Sequence, residues 1–167
     1  ALIETLRALV PSAEGKAPTV EELPEEDWVT LSQQGLEPVL AGRFFVHTSS
    51  HADRVPPGAV SFLIDASQAF GTGGHDTTAG CLAMLDRLAR QGASPRNIAD
   101  IGTGTGLLAF AAMHLWPRAR IIASDIDPAS IFVTRENAAI NGVPLGRGGG
   151  RLALAVAAGT DHPAIRH

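Results

Sequence analysis

The glycine-rich turn at residues 102–106 constrains the fold of this 167-residue chain more than any other feature. The short run Asn97–Ile101 leads into glycines at every second position, Gly102, Gly104 and Gly106, and an apolar segment follows. A strand, a glycine turn and a helix in this order hold a nucleotide-like cofactor at the end of a first parallel strand. Glycine is needed because the turn uses backbone conformations closed to other residues and because the ligand approaches the main chain closely.

The spacing of the glycines argues against a nicotinamide-dependent dehydrogenase. A dinucleotide fingerprint needs its third glycine three residues after the second, at the position that Leu107 occupies. Gly102 and Gly104 are predicted to allow close backbone approach, and Gly106 to serve helix–strand packing. The dehydrogenase is therefore the weakest of the functional hypotheses.

Two carboxylates flank this turn in the predicted fold. Asp125 lies 19 residues after Gly106, at the end of the second strand. Doubly wound folds place there an acid that accepts hydrogen bonds from both ribose hydroxyls, and the alternative is that Asp125 only caps its own turn. Asp100 is predicted to orient the glycine turn and to lie near a positively charged ligand group, because an isolated buried carboxylate would be costly. Asp127 is predicted to be the N-cap of the next helix.

The predicted elements alternate between helices and strands after residue 76. This pattern indicates an α/β fold with a Rossmann-like, doubly wound parallel sheet. The predicted elements are the helix Thr77–Arg90, the strand Ile98–Ile101, the helix Gly106–Trp116, the strand Ile121–Asp125, the helix Pro128–Ile140, a glycine-rich loop at Leu145–Gly150 and the strand Arg151–Ala158.

The chain is predicted to divide near residue 55. Residues 1–54 would hold a short amphipathic stretch, a linker at Pro11–Pro24 and a strand or hairpin arm at Val39–Val46. Residues 55–167 would form the first half of the cofactor-binding domain, truncated after the third strand of the parallel sheet and beginning with the strand Ala59–Ile64 after a turn.

Composition excludes several classes of protein. With 45% hydrophobic and 18% charged residues the chain is not disordered. A net charge of −4 without a dense Lys or Arg run argues against a nucleic-acid groove, and no apolar run is long enough to span a membrane. The single cysteine, Cys81, excludes an internal disulfide framework and is predicted to be a core thiol among its apolar neighbours. The histidines show no metal-ligand spacing.

A second motif narrows the function. Ala69–Thr78 reads Ala-Phe-Gly-Thr-Gly-Gly-His-Asp-Thr-Thr, and residues 125–128 read Asp-Ile-Asp-Pro. With the glycine turn, these segments make the chain resemble the bacterial ribosomal protein methyltransferases that modify protein eleven of the large subunit. Further matches are Glu26–Trp28, Gly42–Val46 and Asn137–Val143. Where that family usually has Gly-Cys-Gly-Ser-Gly, this chain has Thr103 and Thr105.

The resemblance implies S-adenosyl-L-methionine as the cofactor. It places Thr78 in contact with the cofactor and folds the Phe70–His75 loop over the sulfonium, where an aromatic face would be favourable. His75 would be a base or a pocket wall. The cofactor contacts implied are Thr78, Phe70, Gly71, His75, Asp100, Gly102, Thr103, Gly104, Asp125 and Ile126.

The resemblance also implies a cytoplasmic enzyme, monomeric at full length. It would methylate lysine and N-terminal amines of a ribosomal protein without direct contact to nucleic acid or membrane. The sequence identifies no catalytic base. Alignment of the neutral amine with the methyl donor would supply most of the rate enhancement. The family's Asn-Ile-Leu segment is expected beyond His167 and its recognition domain mostly before Ala1, so the chain is expected to be a fragment. A methyltransferase with another acceptor and a non-catalytic cofactor-binding module remain alternatives.

Overall fold

The computed structural model describes residues 37–64 and 76–166. The amphipathic stretch and linker predicted near the start of the chain lie outside these ranges. In order, the elements are β1 (Val39–Ala41), β2 (Phe44–His47), a 3₁₀ helix (Ser49–Arg54), β3 (Val60–Leu63), α1 (Asp76–Arg90), β4 (Asn97–Ile101), α2 (Leu107–Leu115), β5 (Arg120–Asp125), α3 (Pro128–Ile140), β6 (Leu152–Val156) and α4 (Pro163–Arg166).

The three strands β4, β5 and β6 form a parallel sheet with β5 in the middle. Helix α2 packs against β4 and β5, and α3 packs against β5 and β6. The predicted alternation and the parallel α/β sheet are therefore confirmed. Parallel pairing brings the carboxyl ends of β4 and β5 to the same edge of the sheet, which is where the glycine turn begins.

Helix α2 forms the centre of the core. Its residues Leu107, Ala109, Phe110, Ala111 and Ala112 are buried. A helix that is apolar on nearly all sides is stable only when other elements enclose it, and here the parallel sheet and α1 lie against it.

Helix α3 begins and ends where the sequence predicts. The Asp127 carboxylate accepts a hydrogen bond from Ala129 N at 2.9 Å, and Pro128 occupies the first turn. At the other end Asn141 is the C-cap and Gly142 has a φ of 64°, in the left-handed region that glycine enters at little cost. These signals are local, which explains why the sequence predicted them correctly.

A second, smaller sheet has the order β1-β2-β3. Val39–Val46, predicted as a strand or hairpin arm, forms a hairpin with β1 and β2 antiparallel around Gly42. Strand β3 pairs with β2 in parallel, because the 3₁₀ helix returns the chain to the start of β2. Phe44 and Phe62 stack with ring centroids 5.8 Å apart, and Phe62 in turn lies 6.2 Å from the ring of Phe110. The two sheets thus share one core.

The prediction that Cys81 is a core thiol is wrong, since its side chain is exposed. The buried face of α1 carries Leu82 and Asp86, four residues apart. Cys81 lies about 100° around the helix from Leu82, outside this face. Leu88 is exposed as well.

Asp86 ties α1 to the hairpin between β1 and β2. Its carboxylate accepts hydrogen bonds from Arg43 Nε and from Arg90 Nε. A Cβ on Gly42 would lie 2.7 Å from Asp86 Oδ2, so only glycine allows the hairpin to approach the carboxylate this closely. Burial by itself would raise the pKa of Asp86, but the two guanidinium groups outweigh this effect and hold the pKa below its ordinary range.

Replacement of Asp86 tests this connection. We expect Asp86→Asn to lower the free energy of unfolding by about 1.5–3 kcal/mol at neutral pH, because two charge-assisted hydrogen bonds are weakened. Since the native pKa lies below the unfolded value, this contribution is complete above the unfolded pKa. It is lost as the pH falls through the native pKa. Urea unfolding of both proteins at neutral pH and in acid measures the difference.

Glu37→Gln is the matched control, because it removes the exposed ion pair with Arg54. We expect this change to cost less than about 1 kcal/mol. If Asp86→Asn lowered the free energy of unfolding by the same amount at both pH values, a role for the charge of Asp86 would be contradicted.

Candidate functional site

The glycine turn is held against the neighbouring strand by its backbone. The N–H groups of Gly102 and Thr103 both donate to Ser124 O, at 2.8 and 2.9 Å. Gly102, Gly104 and Gly106 have φ values of 74°, 56° and 88°, which confirms that the turn needs glycine for its conformation. The turn therefore takes its position from β5, not only from β4.

Gly102 and Gly106 differ in their surroundings. A Cβ on Gly106 would lie 2.6 Å from Phe110 Cζ and 2.7 Å from Thr134 Cγ2, so this glycine serves close packing, but against side chains of two helices and not between helix and strand as predicted. A Cβ on Gly102 would meet nothing within 4 Å. The Gly102 side of the turn is consequently open to a ligand.

Asp100 orients the turn, as the sequence predicts. Its Oδ2 atom accepts hydrogen bonds from Thr103 Oγ1 at 2.7 Å and from Ala109 N at 3.1 Å. Burial raises the pKa of Asp100, and the charge of Asp125 raises it further, against the lowering effect of the two hydrogen bonds. Both hydrogen bonds use Oδ2, which leaves Oδ1 outside them. Contact of Asp100 with a positively charged ligand group stays a prediction.

The Asp125 carboxylate also contacts the turn. Oδ2 accepts from Gly104 N at 3.0 Å, and Oδ1 accepts from Asp127 N at 3.1 Å. These are the contacts expected if Asp125 caps its own turn, which is the alternative to a ribose contact. Because each carboxylate oxygen can accept more than one hydrogen bond, they leave the predicted ribose contact available. Asp125 is half-buried, so its carboxylate can reach a ligand.

The remaining predicted residues fall in three places. Ile126 follows β5 with 71% of its surface exposed, beside the Asp125 carboxylate. Thr78 lies half-buried in the first turn of α1, and the contacts of the described residues do not join it to the glycine turn. Phe70, Gly71 and His75 lie outside the described ranges.

Two buried polar residues of α3 hold the turn from behind, and the sequence analysis missed them. Thr134 Oγ1 donates to Gly104 O at 2.9 Å, and Asn137 Nδ2 donates to Thr105 O at 3.0 Å. Asn141, on the same helix face, exchanges two hydrogen bonds of 2.8 Å with the backbone of Leu63. The signal was the polar i, i+3, i+7 spacing within a helix that also carries buried apolar residues.

Residues 37–64 and 76–166 contain neither a metal-binding cluster nor a membrane-spanning helix. No cluster of three His, Cys, Asp or Glu side chains there is arranged to bind a metal ion. No helix in the same two ranges has both the length and the apolar character needed to cross a membrane.

Comparison with known proteins identifies the family of this chain. Residues 1–149 match the family described as ribosomal protein L11 methyltransferase (PrmA). The ribosomal protein L11 methyltransferase of Brucella suis is 48% identical over 146 residues, which cover 87% of this chain and 49% of that protein. That of Rhodopseudomonas palustris is 48% identical over 145 residues, or 84% and 48% of the two chains.

A solved structure gives the same result. The crystal structure of a ribosomal protein L11 methylase from Lactobacillus delbrueckii subsp. bulgaricus matches with a TM-score of 0.55 and 27% identity, over 72% of this chain and 57% of that one. The α/β fold is thus that of the methyltransferases. The chain spans about half the length of the curated relatives it matches.

Alanine substitutions separate the two kinds of glycine. We expect Gly106→Ala to lower the free energy of unfolding by about 2–4 kcal/mol, because left-handed strain adds to the clash with Phe110 and Thr134. Gly102→Ala should cost only about 1–2 kcal/mol, since its φ is strained and its surroundings are open. Urea denaturation of the two variants measures the difference, and equal losses would refute a packing role for Gly106.

Proposed function

Because this chain belongs to the ribosomal protein L11 methyltransferase family, we propose that it forms the cofactor-binding part of an S-adenosylmethionine-dependent protein methyltransferase. The observation that carries the proposal is the glycine turn, which is open at Gly102 and donates hydrogen bonds to the carboxylates of both Asp100 and Asp125. On this proposal, residues 55–167 belong to the cofactor-binding domain and residues 1–54 to a preceding region.

The residues present fit an adenosine linked to an amino acid. Asp125 is held by Gly104 N and Asp127 N, so its carboxylate is already oriented when two ribose hydroxyls donate to it. Ile126 would cover an adenine face with its exposed apolar side chain. Because a Cβ on Gly102 would meet nothing within 4 Å, a ligand can approach the main chain of the turn at this glycine without an intervening side chain.

Asp100 would bind the ammonium of the methionine part. Burial and the charge of Asp125 disfavour the ionised form of Asp100, and a positive group beside Oδ1 would offset both. Thr78 and the Phe70–His75 loop would close the site on the sulfonium side. The aromatic face of Phe70, placed against the sulfonium, would contribute on the order of 1 kcal/mol to the free energy of cofactor binding.

When bound, S-adenosylmethionine supplies an activated methyl group. The chain's own residues then have to hold the donor in line with the acceptor and keep water out. A lysine acceptor, with a pKa of about 10.4, must lose a proton before it attacks. The described residues around the turn assign no base to this step, so the proton would pass to water.

We propose as acceptor the lysine and N-terminal amines of ribosomal protein L11, which the names of the relatives support. The reaction would then occur in the cytoplasm, and we retain the expectation of a monomer. Because the chain spans about half the length of these relatives, the acceptor would also contact regions beyond this chain.

Titration with S-adenosylhomocysteine tests the cofactor assignment. We expect calorimetry to show binding to the 167-residue chain and affinity at least about tenfold weaker for Asp125→Asn, because a charged acceptor of two hydroxyls is lost. Asp127→Asn is the control, since asparagine caps a helix as well as aspartate does. Equal affinity for Asp125→Asn and the parent would contradict the ribose role.

A chimera tests the acceptor. We would join this chain to the regions of the Brucella suis relative that the 146-residue match leaves out, in that protein's order. Labelled methyl groups should pass from S-adenosylmethionine to purified L11, and rates should fall at least about tenfold with Asp125→Asn. L11 whose amines have been acetylated should accept no label. Equal labelling of the acetylated protein would exclude amine methylation.

A further inference from the structure

A cavity of about 740 Å³ lies at the end of the parallel sheet opposite to the glycine turn. Residues 94–97 and 115–120 line it, and these segments lead into the starts of β4 and β5. The glycine turn follows the carboxyl ends of the same parallel strands. The cavity is therefore separate from the cofactor site.

Three exposed arginines, Arg96, Arg118 and Arg120, line this cavity, and no acidic residue does. Within the two described ranges none of the three forms an ion pair with a carboxylate. Three other arginines of these ranges do form such pairs, namely Arg43, Arg54 and Arg90. Guanidinium groups gathered without local carboxylates favour an anionic ligand.

The glycine-rich loop before β6 carries two more arginines, and its backbone lies beside the cavity. Residues 146–151 read Gly-Arg-Gly-Gly-Gly-Arg, and both Arg147 and Arg151 are exposed. A Cβ on Gly149 would lie 3.1 Å from Arg118 O, and one on Gly150 would lie 3.5 Å from Pro117 O. The loop backbone thus runs along the edge of the cavity.

An aromatic wall completes the cavity. Trp116 is half-buried, and its Nε1 donates to Ala93 O at 2.7 Å, which fixes the orientation of the indole. Proteins that bind single strands combine a positive groove with aromatic rings on which bases stack, and arginine–glycine segments serve the same purpose. All the basic residues that line the cavity are arginines. The planar guanidinium group can donate two hydrogen bonds to one phosphate.

We propose that this cavity, with the loop at residues 146–151, binds single-stranded RNA. An acidic peptide would satisfy the arginines and leave the indole without a base to stack on. The sequence analysis predicted no nucleic-acid groove because the chain has no basic run. Here arginines from three separate segments meet at one end of a sheet, which no run in the sequence would reveal. The proposal does not depend on methyl transfer.

Fluorescence anisotropy tests the proposal with the 167-residue chain and a fluorescein-labelled single-stranded RNA of about 12 nucleotides, within the site sizes of such proteins. The variant is Arg118→Gln with Arg120→Gln. The control is Arg87→Gln with Arg135→Gln, which removes the same charge from exposed positions of α1 and α3 that do not line the cavity.

We expect the cavity variant to bind the RNA roughly tenfold more weakly, and the control less than about twofold more weakly. The slope of log affinity against log salt should become shallower by about 0.7 for each phosphate contact removed. Arg118→Lys with Arg120→Lys keeps the charge and loses the bidentate geometry, so its affinity should lie between those of the other two variants. Circular dichroism and the unfolding midpoint confirm that each variant is folded.

Several results would overturn the proposal. Absence of binding to the parent chain at low salt would exclude the site. Equal losses in the cavity variant and the control would assign the binding to net charge alone. Displacement of the labelled RNA by polyglutamate as readily as by unlabelled RNA would identify an acidic peptide as the ligand class.

Discussion

Hydrogen bonds to the backbone of the glycine turn are the constraint on which the rest of the site depends. Ser124 O accepts from the start of the turn, while Thr134 and Asn137 donate to the carbonyls of Gly104 and Thr105. Because β5 and α3 fix the turn from two sides, its N–H groups in turn orient the carboxylate of Asp125. A shift of α3 would therefore disturb both the turn and the carboxylate of Asp125 that the turn orients.

The two ends of the parallel sheet have opposite chemical character. At the carboxyl ends of the strands, Asp125 lies close enough to Asp100 for its charge to add to the effect of burial, which raises the pKa of Asp100. At the amino ends, three exposed arginines line a cavity. The net charge of −4 averages over these two regions and so describes neither.

Sequence reasoning succeeded where the determining contacts are local. The caps of α3 are Asp127 and Asn141, and each forms hydrogen bonds with backbone groups no more than four residues away in the chain. It failed for Cys81, because apolar residues occur on more than one side of α1 and only the packing of Leu82 and Asp86 selects the buried face. It missed Thr134 and Asn137, whose partners lie 30 and 32 residues away along the chain.

The sequence by itself determined the alternation of helices and strands, the need for glycine at Gly102 and Gly106, and the family to which the motifs belong. Periodicity, caps and positive φ values are properties of short segments, so they can be read without knowledge of distant neighbours. Only the tertiary structure decided which side of the turn is open, which carboxylate oxygens are occupied, and that arginines from two separate segments line one cavity. These features depend on pairing between strands and helices remote in sequence, whose side chains meet only after the core of α2 and the sheet has packed.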